Sequence, residues 1–417
     1  MREFQNNYIQ EVEVKGHLID SMILTRIFDI VMDLGGDFEV LEFRIGKHKR
    51  DYSYARLLVK GRSESHLEEM LSQIYAEGAI PIKVKEAKLE KAPEDMVLPD
   101  NFYNSTNNPT LVYLKGRWIN VENIMMDKPI VVKFNPLRAY CKPIREVKKG
   151  ELIVVGEQGI RVNPPERPRE GIGLFEFMSS RASSEKPIPS IAKSVAEDLY
   201  LNKKLGKKTV VVAGPAVIHT GATHALAWLI RNGYVSVLLS GNALAVHDVE
   251  YALFGTSLGV DVKSGVRKPR GNRNHMMAIN EVMKYGSLRK LVEKGVLKSG
   301  IFYECIKKNV PYILAGSIRD DGPIPDVITD VLEAQKMYRE ALNDASVVLM
   351  LATTLHSIAV GNMIPSTVKV IAVDINQAVV TKLLDRGSWQ ALGVISDVGT
   401  FLPILSQKLQ DMERKEK

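Results

Sequence analysis

The chain has 417 residues, enough for two or three domains, and its 45% hydrophobic and 25% charged residues match an ordinary globular core. Its net charge of +7 is interspersed with acids, which argues against nucleic-acid binding, where bases gather in one stripe with aromatic partners. Two distant cysteines, Cys141 and Cys305, offer neither a disulfide framework nor zinc-ligand spacing, the start Met1–Asn7 lacks a signal-peptide core, and no apolar run spans a bilayer, so a cytoplasmic protein without a metal site is expected.

The first segment, residues 1–97, holds strand and helix signals between Tyr8 and Ala87. Glu11–Gly16 alternates as a strand does, and Ser21–Leu34 carries apolar residues at helical spacing before the stop at Gly35-Gly36. Phe38–Gly46 and Tyr52–Lys60 read as strands, Ser65–Glu77 as a helix, and Ala79–Val84 as a closing strand. The order β-α-β-β-α-β is that of a ferredoxin-like α+β domain. It carries no catalytic cluster, so a structural or regulatory role is expected.

Residues 98–170 read as a small β-rich module and linker. Short apolar runs, Leu111–Leu114, Ile130–Phe134 and Leu152–Val155, are broken by Asn, Gly and Pro. The stretch Asn163–Arg169 is rich in proline and charge, as a linker or strap is.

Residues 171–417 alternate continuous β-branched runs with helical stretches. The runs are Thr209–Ala213, Val235–Leu239, Pro311–Ala315, Val347–Leu351, Val370–Val373 and Leu392–Ile395. Unbroken apolar strands are buried on both faces, which predicts a doubly wound, mostly parallel α/β sheet. Helices are expected over Thr223–Asn232, His275–Gly295, Val327–Asn343 and Gln377–Arg386. Ligands of such sheets sit at the carboxyl ends of the strands.

The residues after each run are therefore the candidate site: Gly214–Gly221, Ser240–Asp248, Gly316–Pro323, Ala352–Ser357, Asp374–Asn376 and Ser396–Thr400. Their amides and hydroxyls suit a phosphate, and Asp374 suits a ribose. Each has a plainer reading. Gly214 and Gly241 serve tight turns, Asp374 and Asp397 serve as helix caps, and His219, His224, His247 and His356 serve as hydrogen-bonded structural histidines. Asp320-Asp321 forms either a turn before Gly322-Pro323 or a site for an ammonium group. The basic run Gly265–Arg273 is either a solvated loop or a lid bringing an arginine to an anion. The usual Gly-x-Gly-x-x-Gly fingerprint is absent after the first strand, where Gly214-Pro215-Ala216 stands instead.

The loops Gly214–Gly221, Ser240–Asp248, Gly316–Pro323 and Asp374–Gln377 resemble those of the archaeal-type ornithine cyclodeaminases, and the resemblance covers essentially the whole chain. That family is similar to the C-terminal part of the cyanobacterial bifunctional arginine dihydrolase/ornithine cyclodeaminases, and its N-terminal region resembles the lysine-oxoglutarate reductase/saccharopine dehydrogenase conserved region. The resemblance implies a Rossmann-like C-terminal domain of the deoxyhypusine synthase type, a homo-oligomer, and no arginine hydrolysis. It implies conversion of L-ornithine to L-proline and ammonia, with tightly bound NAD taking a hydride from the α-carbon and returning it to the cyclic imine. On that scheme Gly214, Asn242, Ala243, Ser317, Asp321, Thr353, Thr354, Leu355, His356, Asp374, Asp397 and Val398 would line the cofactor. Asp321 could instead touch the substrate amine. Asp320, His219 and His356 are the candidate bases. Two rival readings stay open: another NAD enzyme on this scaffold, either an amino-acid dehydrogenase or a deoxyhypusine-synthase-like transferase, and a non-catalytic nucleotide sensor.

Overall fold

The strand Ile9–Gly16 turns Val12 and Val14 into a core and leaves Lys15 outside, the period of two that a half-buried strand requires. In the helix Ile23–Asp33, Ile23, Ile27 and Val31 repeat every four residues and are all buried. Its end is closed by Gly36 N–H donating to Val31 O, with Gly35 at φ +75. The computed structural model describes residues 8–19, 22–48, 51–82, 84–163, 187–262, 264–266, 272–320, 322–386 and 391–416.

The chain forms two units: residues 1–174 with 364–367, and residues 175–363 with 368–417. In the first unit, strands Asp37–Arg44, Ser53–Lys60, Ile9–Gly16 and Ile80–Pro81 form one antiparallel sheet in that order. Helices Ile23–Asp33 and Glu64–Ala76 supply Ile27, Met70 and Ile74 to its core, which is the expected ferredoxin-like arrangement. A second sheet of seven strands runs from Ile160–Val162 to Lys88–Lys91. Lys88–Lys91 falls within the segment read as the first domain, yet it pairs with Leu152–Val155 of the β module. The proline-rich stretch Pro164–Arg169 lies outside the described residues.

The second unit holds a seven-stranded parallel sheet. Its order is Val327–Ile328, Tyr312–Ala315, Val237–Gly241, Lys208–Ala213, Ala345–Leu351, Lys369–Asp374, Leu392–Ile395. The chain starts at Lys208–Ala213, winds outward to one edge, then returns to Ala345–Leu351 and winds to the other. This is the doubly wound Rossmann-like order, with its switch point between Lys208–Ala213 and Ala345–Leu351. Val211, Leu238, Leu349 and Ile371 face a core shared with Ile188–Lys204, Thr223–Arg231 and Val398–Glu416. On the other face lie Val331–Leu342, Thr354–Gly361 and Gln377–Arg386.

Several expected elements change form. Val327–Ile328 is not helical: it pairs with Leu314 and Ala315, and the helix begins only at Val331, where Asp330 accepts from the amides of Leu332 and Glu333. The stretch His275–Gly295 is two helices, Asn272–Tyr285 and Leu288–Glu293, broken at Gly286 with φ +79 and restarted by Ser287. Ser240–Asp248 is not a loop, since Asn242–Phe254 is helical.

Helix Ile301–Lys307 is held from below by the wholly buried Asp248, which accepts from Ile301 N–H at 3.0 Å and Phe302 N–H at 2.9 Å. Burial raises its pKa from 3.8 to about 7, against those two amides. The folded chain then holds a proton that the unfolded chain has released. Stability is highest below the unfolded value and falls as pH rises toward the folded one. Asp248→Asn is expected to flatten this slope, measured by urea unfolding at about pH 5 and about pH 8.

Candidate functional site

Parallel strands place all their carboxyl ends at one edge, so the site is assembled there from segments far apart in sequence. At the switch point the backbones approach closely. Gly214 N–H donates to Leu351 O at 2.9 Å, and a Cβ on residue 214 would collide with the carbonyl oxygen of Ala352. Ala352 itself sits at φ +45, a left-handed conformation that strains a residue bearing a Cβ and marks functional sites. On the adjoining strand, a Cβ on Gly241 would lie 2.9 Å from His356 Cε1. Glycine at 214 and 241 is what permits these close approaches.

Two helices point their N-termini at the same edge. Asn242–Phe254 begins after Gly241, which has no side chain to cap with, and Thr354–Gly361 begins after Thr353, whose side chain does not bond the first-turn amides. The leading amides, including those of Ala243 and of Leu355, stay available for an anion. The absence of side-chain caps on these two helices, beside glycines that admit close approach, fits a dinucleotide pyrophosphate.

The other expected residues have distinct places. Asn242 is buried: its Oδ1 accepts from Ile324 N–H at 3.1 Å and its Nδ2 reaches Gly322 O at 3.5 Å, which ties down the loop after Tyr312–Ala315. In that loop Asp320 accepts from Ser317 N–H at 2.9 Å, and Ser317 Oγ accepts from Arg319 N–H. Asp321 lies outside the described residues, as do Arg267–Gly271 of the basic run. His356 Nδ1 lies 3.2 Å from Thr353 Oγ1. Burial lowers its pKa below the ordinary histidine value, opposed by the carboxylate of Asp320. Thr354 and Leu355 are exposed.

The two strand-end aspartates differ. Asp374 Oδ1 accepts from Asn376 N–H, and it is Asn376 that bonds the first turn of Gln377–Arg386, through Ala378 N–H. Asp374 is thus not the helix cap, and among the described residues only its Oδ1 is engaged. Asp397 does cap: its Oδ1 accepts from Gly399 N–H at 2.9 Å at the start of Val398–Glu416. The side chain of Val398 is buried in the core, so only its backbone faces the edge.

His219 does not join His356. It ends the short helix Ala216–His219 after Gly214, and its Nδ1 lies 2.7 Å from Ser257 Oγ. Its ring stands edge-on to His247, with centroids 4.7 Å apart, and His247 lies 4.7 Å from His275. Both approach Glu250, His247 Nδ1 at 3.1 Å and His275 Nδ1 at 3.8 Å from Oε2. Glu250 and His275 were not anticipated. The signal was the spacing His247-x-x-Glu250, which puts both on one helix face. One donor atom from each of His247, Glu250 and His275 lies within 4.8 Å of the others. The carboxylate, however, already receives four protein donors: Thr256 Oγ1 and Gly259 N–H on Oε1, Leu258 N–H and His247 Nδ1 on Oε2. It is filled with protons rather than open to a metal.

Comparison with known proteins agrees with this architecture. Residues 193–405 match the model for the Rossmann-fold C-terminal region of ArgZ-like arginine dihydrolases, residues 109–192 match the first region of that C-terminal part, and residues 9–108 match the LOR/SDH bifunctional enzyme conserved region. The chain is 58% identical to the ornithine cyclodeaminase of Methanopyrus kandleri over 96% of its length and 97% of that protein. It is 55% identical to that of Methanocaldococcus jannaschii over 98% of each. It also resembles the crystal structure of a ternary complex of AgrE, the bifunctional enzyme of Nostoc sp., with ornithine and NAD+ (44% identity, TM-score 0.54, 98% of this chain and 59% of that one).

Gly214→Ala should force the two strand ends apart. The expected loss is about 1–3 kcal/mol of unfolding free energy, read by urea titration. Wild-type stability would show that the close approach is not needed.

Proposed function

The chain belongs to the ornithine cyclodeaminase family, and we propose that it converts L-ornithine to L-proline and ammonia with NAD retained through the cycle. The observation that carries this reading is the pair of helix N-termini without side-chain caps at the carboxyl edge of the sheet, next to the close-packed glycines of the switch point. NAD, when bound, supplies a hydride acceptor that becomes the donor later in the same turnover, so the reaction has no net oxidation.

The chain's own residues divide the remaining work. The first-turn amides at Asn242-Ala243 and Thr354-Leu355 would hold the pyrophosphate, with Gly214 and Thr353 beside it. Asp374, through its second oxygen, would take a ribose diol. The amide side of Asp397-Val398 would bound the far end, while Asp397's side chain keeps its helix capped. Ser317 and Asp320 sit on the loop that Asn242 anchors, which would bring a carboxylate toward the substrate's amines; Asp321, next in the sequence, is proposed with them. His356, whose pKa burial lowers against the carboxylate of Asp320, and His219 are the other groups able to accept a proton. Closure of the site would keep water from the imine stages.

Among the described residues no helix is long and apolar enough to cross a membrane. With a composition that lacks a disulfide framework, this fits the proposed cytoplasmic location, and a homo-oligomer is the proposed assembly.

Purified protein given labelled ornithine without added NAD is expected to yield labelled proline and ammonia in equal amounts. NADH accumulating with ornithine would instead identify a dehydrogenase and overturn the reading. Asp374→Ala should release its NAD on gel filtration while keeping the fold. Full retention of NAD would remove Asp374 from the ribose site.

A further inference from the structure

Four titratable groups pack together on helices of the second unit, and the proposed function uses only His219 among them. They come from three helices: His219 from Ala216–His219, His247 and Glu250 from Asn242–Phe254, and His275 from Asn272–Tyr285. They form a graded series. His219 is open to solvent on one side, His247 is 4% exposed, and the side chain of Glu250 is 0% exposed. We propose that Glu250, His247, His275 and His219 form a proton relay that draws protons from the ammonium groups of the diamino-acid substrate and returns one of them to the departing ammonia. This rests on the ornithine reading above and names the acid–base machinery of that site.

The geometry supports the direction of the relay. Glu250 is buried and its four acceptor positions are taken, so it touches no substrate and is a positioning residue. Its Oε2 takes the Nδ1 proton of His247, which fixes the tautomer and leaves His247 Nε2 as an acceptor. A buried carboxylate behind an imidazole also stabilises the imidazolium formed when that acceptor is used. The turn Thr256–Gly259 fixes the carboxylate through two backbone amides and the Thr256 hydroxyl, and Asn274 in turn bonds Thr256 Oγ1 at 3.0 Å. His219, with Ser257 on its Nδ1, is the member that reaches outward.

The electrostatics agree. Burial alone would raise the pKa of Glu250, but the hydrogen bonds from His247, Gly259 N–H and Thr256 and the nearby imidazole of His275 win, and it is held well below the usual carboxylate range. Burial first, and then His247 and His275, lower His219 to about 4, while Glu250 opposes them. Those are the titratable groups that act on it. At neutral pH the outer imidazole is therefore an unprotonated base, and the permanent negative charge lies behind it.

The chemistry calls for such a store. Ornithine enters with two ammonium groups. The α-ammonium must lose a proton before its carbon can give up a hydride, and the δ-ammonium must lose one before its nitrogen can form the ring bond. After ring closure the ring nitrogen must give up one more proton before it can form the cyclic imine, and it regains one when proline is complete. The original α-nitrogen takes one proton as its carbon–nitrogen bond breaks and a second as it becomes ammonium. Three protons are lent and three returned, with no co-reactant needed for this part. The relay's members follow, along the chain, two of the strand ends proposed to hold the cofactor. His219 follows Gly214 by five positions, and His247 is five residues, about 7.5 Å of helix, from Asn242.

The test uses the full-length protein with its NAD bound. Proline formation is followed against pH for wild type, His219→Ala, His247→Gln and Glu250→Gln, with thermal midpoint and NAD content as controls. His219→Ala and His247→Gln are expected to lower kcat by about 10²–10⁴-fold with little change in KM, and to displace the acidic limb of the pH profile. Added imidazole should restore part of the activity of His219→Ala, which a structural role would not allow. Glu250→Gln, which keeps an acceptor but removes the charge, should lower kcat through His247 and displace the pH profile in the same sense as His247→Gln; His219, open to solvent, is the variant on which the proposal stands. Wild-type kcat and pH profile in both histidine variants would overturn the relay and leave the proposed function intact. Loss of wild-type activity on dialysis against a chelator, restored by Zn²⁺, would make the cluster a metal centre and overturn it. A wild type that makes no proline overturns the function and the relay with it.

Discussion

The approach of two backbones at the switch point governs the rest of the second unit. Gly214 and Ala352 end neighbouring strands whose chains then leave in opposite directions across the sheet. A side chain at 214 would separate them, and Ala352 accepts a left-handed φ to let the following helix begin where it does. Local strain at Ala352 is tolerated because hydrogen bonds from Gly214 N–H to Leu351 O and from Ala352 N–H to Val373 O fix the residues around it.

A buried polar scaffold holds the neighbouring strand end in register with that switch point. Ser240 Oγ donates to Ala213 O and Tyr338 Oη donates to Ser240 O, both at 2.6 Å, so the strand is tied to its neighbour and to a helix of the opposite layer. Each buried hydroxyl is satisfied, as a low-dielectric interior demands. Asn242 then spends its whole amide on the loop at Gly322–Ile324. Its side chain builds the wall of the site rather than its floor, and the helix amides beside it are what remain for a ligand.

The sheet and its strand ends were legible because a parallel strand buried on both faces cannot alternate. Val210–Val212 and Val347–Leu351 read as strands on composition alone. The ferredoxin-like order was legible for the opposite reason, since Ile9–Gly16 alternates cleanly. What escaped was pairing over distance. Nothing in Lys88–Lys91 says that its partner is Leu152–Val155, and two-residue strands such as Val327–Ile328 carry no period. Asp374 and Asp397 look alike in sequence, each at a strand end before a helix. Only the backbone shows that Asn376 takes the capping role from the first and that the second keeps it. The histidine cluster was missed because its members come from three helices, and the one local clue, His247-x-x-Glu250, lay in a stretch read as loop.

That same helix shows how one element separates two carboxylates into opposite chemistry. Asp248 and Glu250 are two residues apart, about 200° around the helix, so they enter different surroundings. Asp248 meets two amides at the start of Ile301–Lys307 and nothing cationic, and burial carries its pKa up to about 7. Glu250 is as fully buried at its side chain, but it meets two imidazoles, a hydroxyl and two amides, and its pKa is driven down. Divergence of neighbouring carboxyls is the pattern by which proteins assign separate acid–base roles at one pH. Here the neutralisable member faces the packing of the α/β core, where a proton costs nothing to the reaction. The permanently charged member faces the histidines, where it takes the Nδ1 proton of His247 and opposes the burial that lowers His219. Packing and acid–base chemistry thus share one helix without sharing a face.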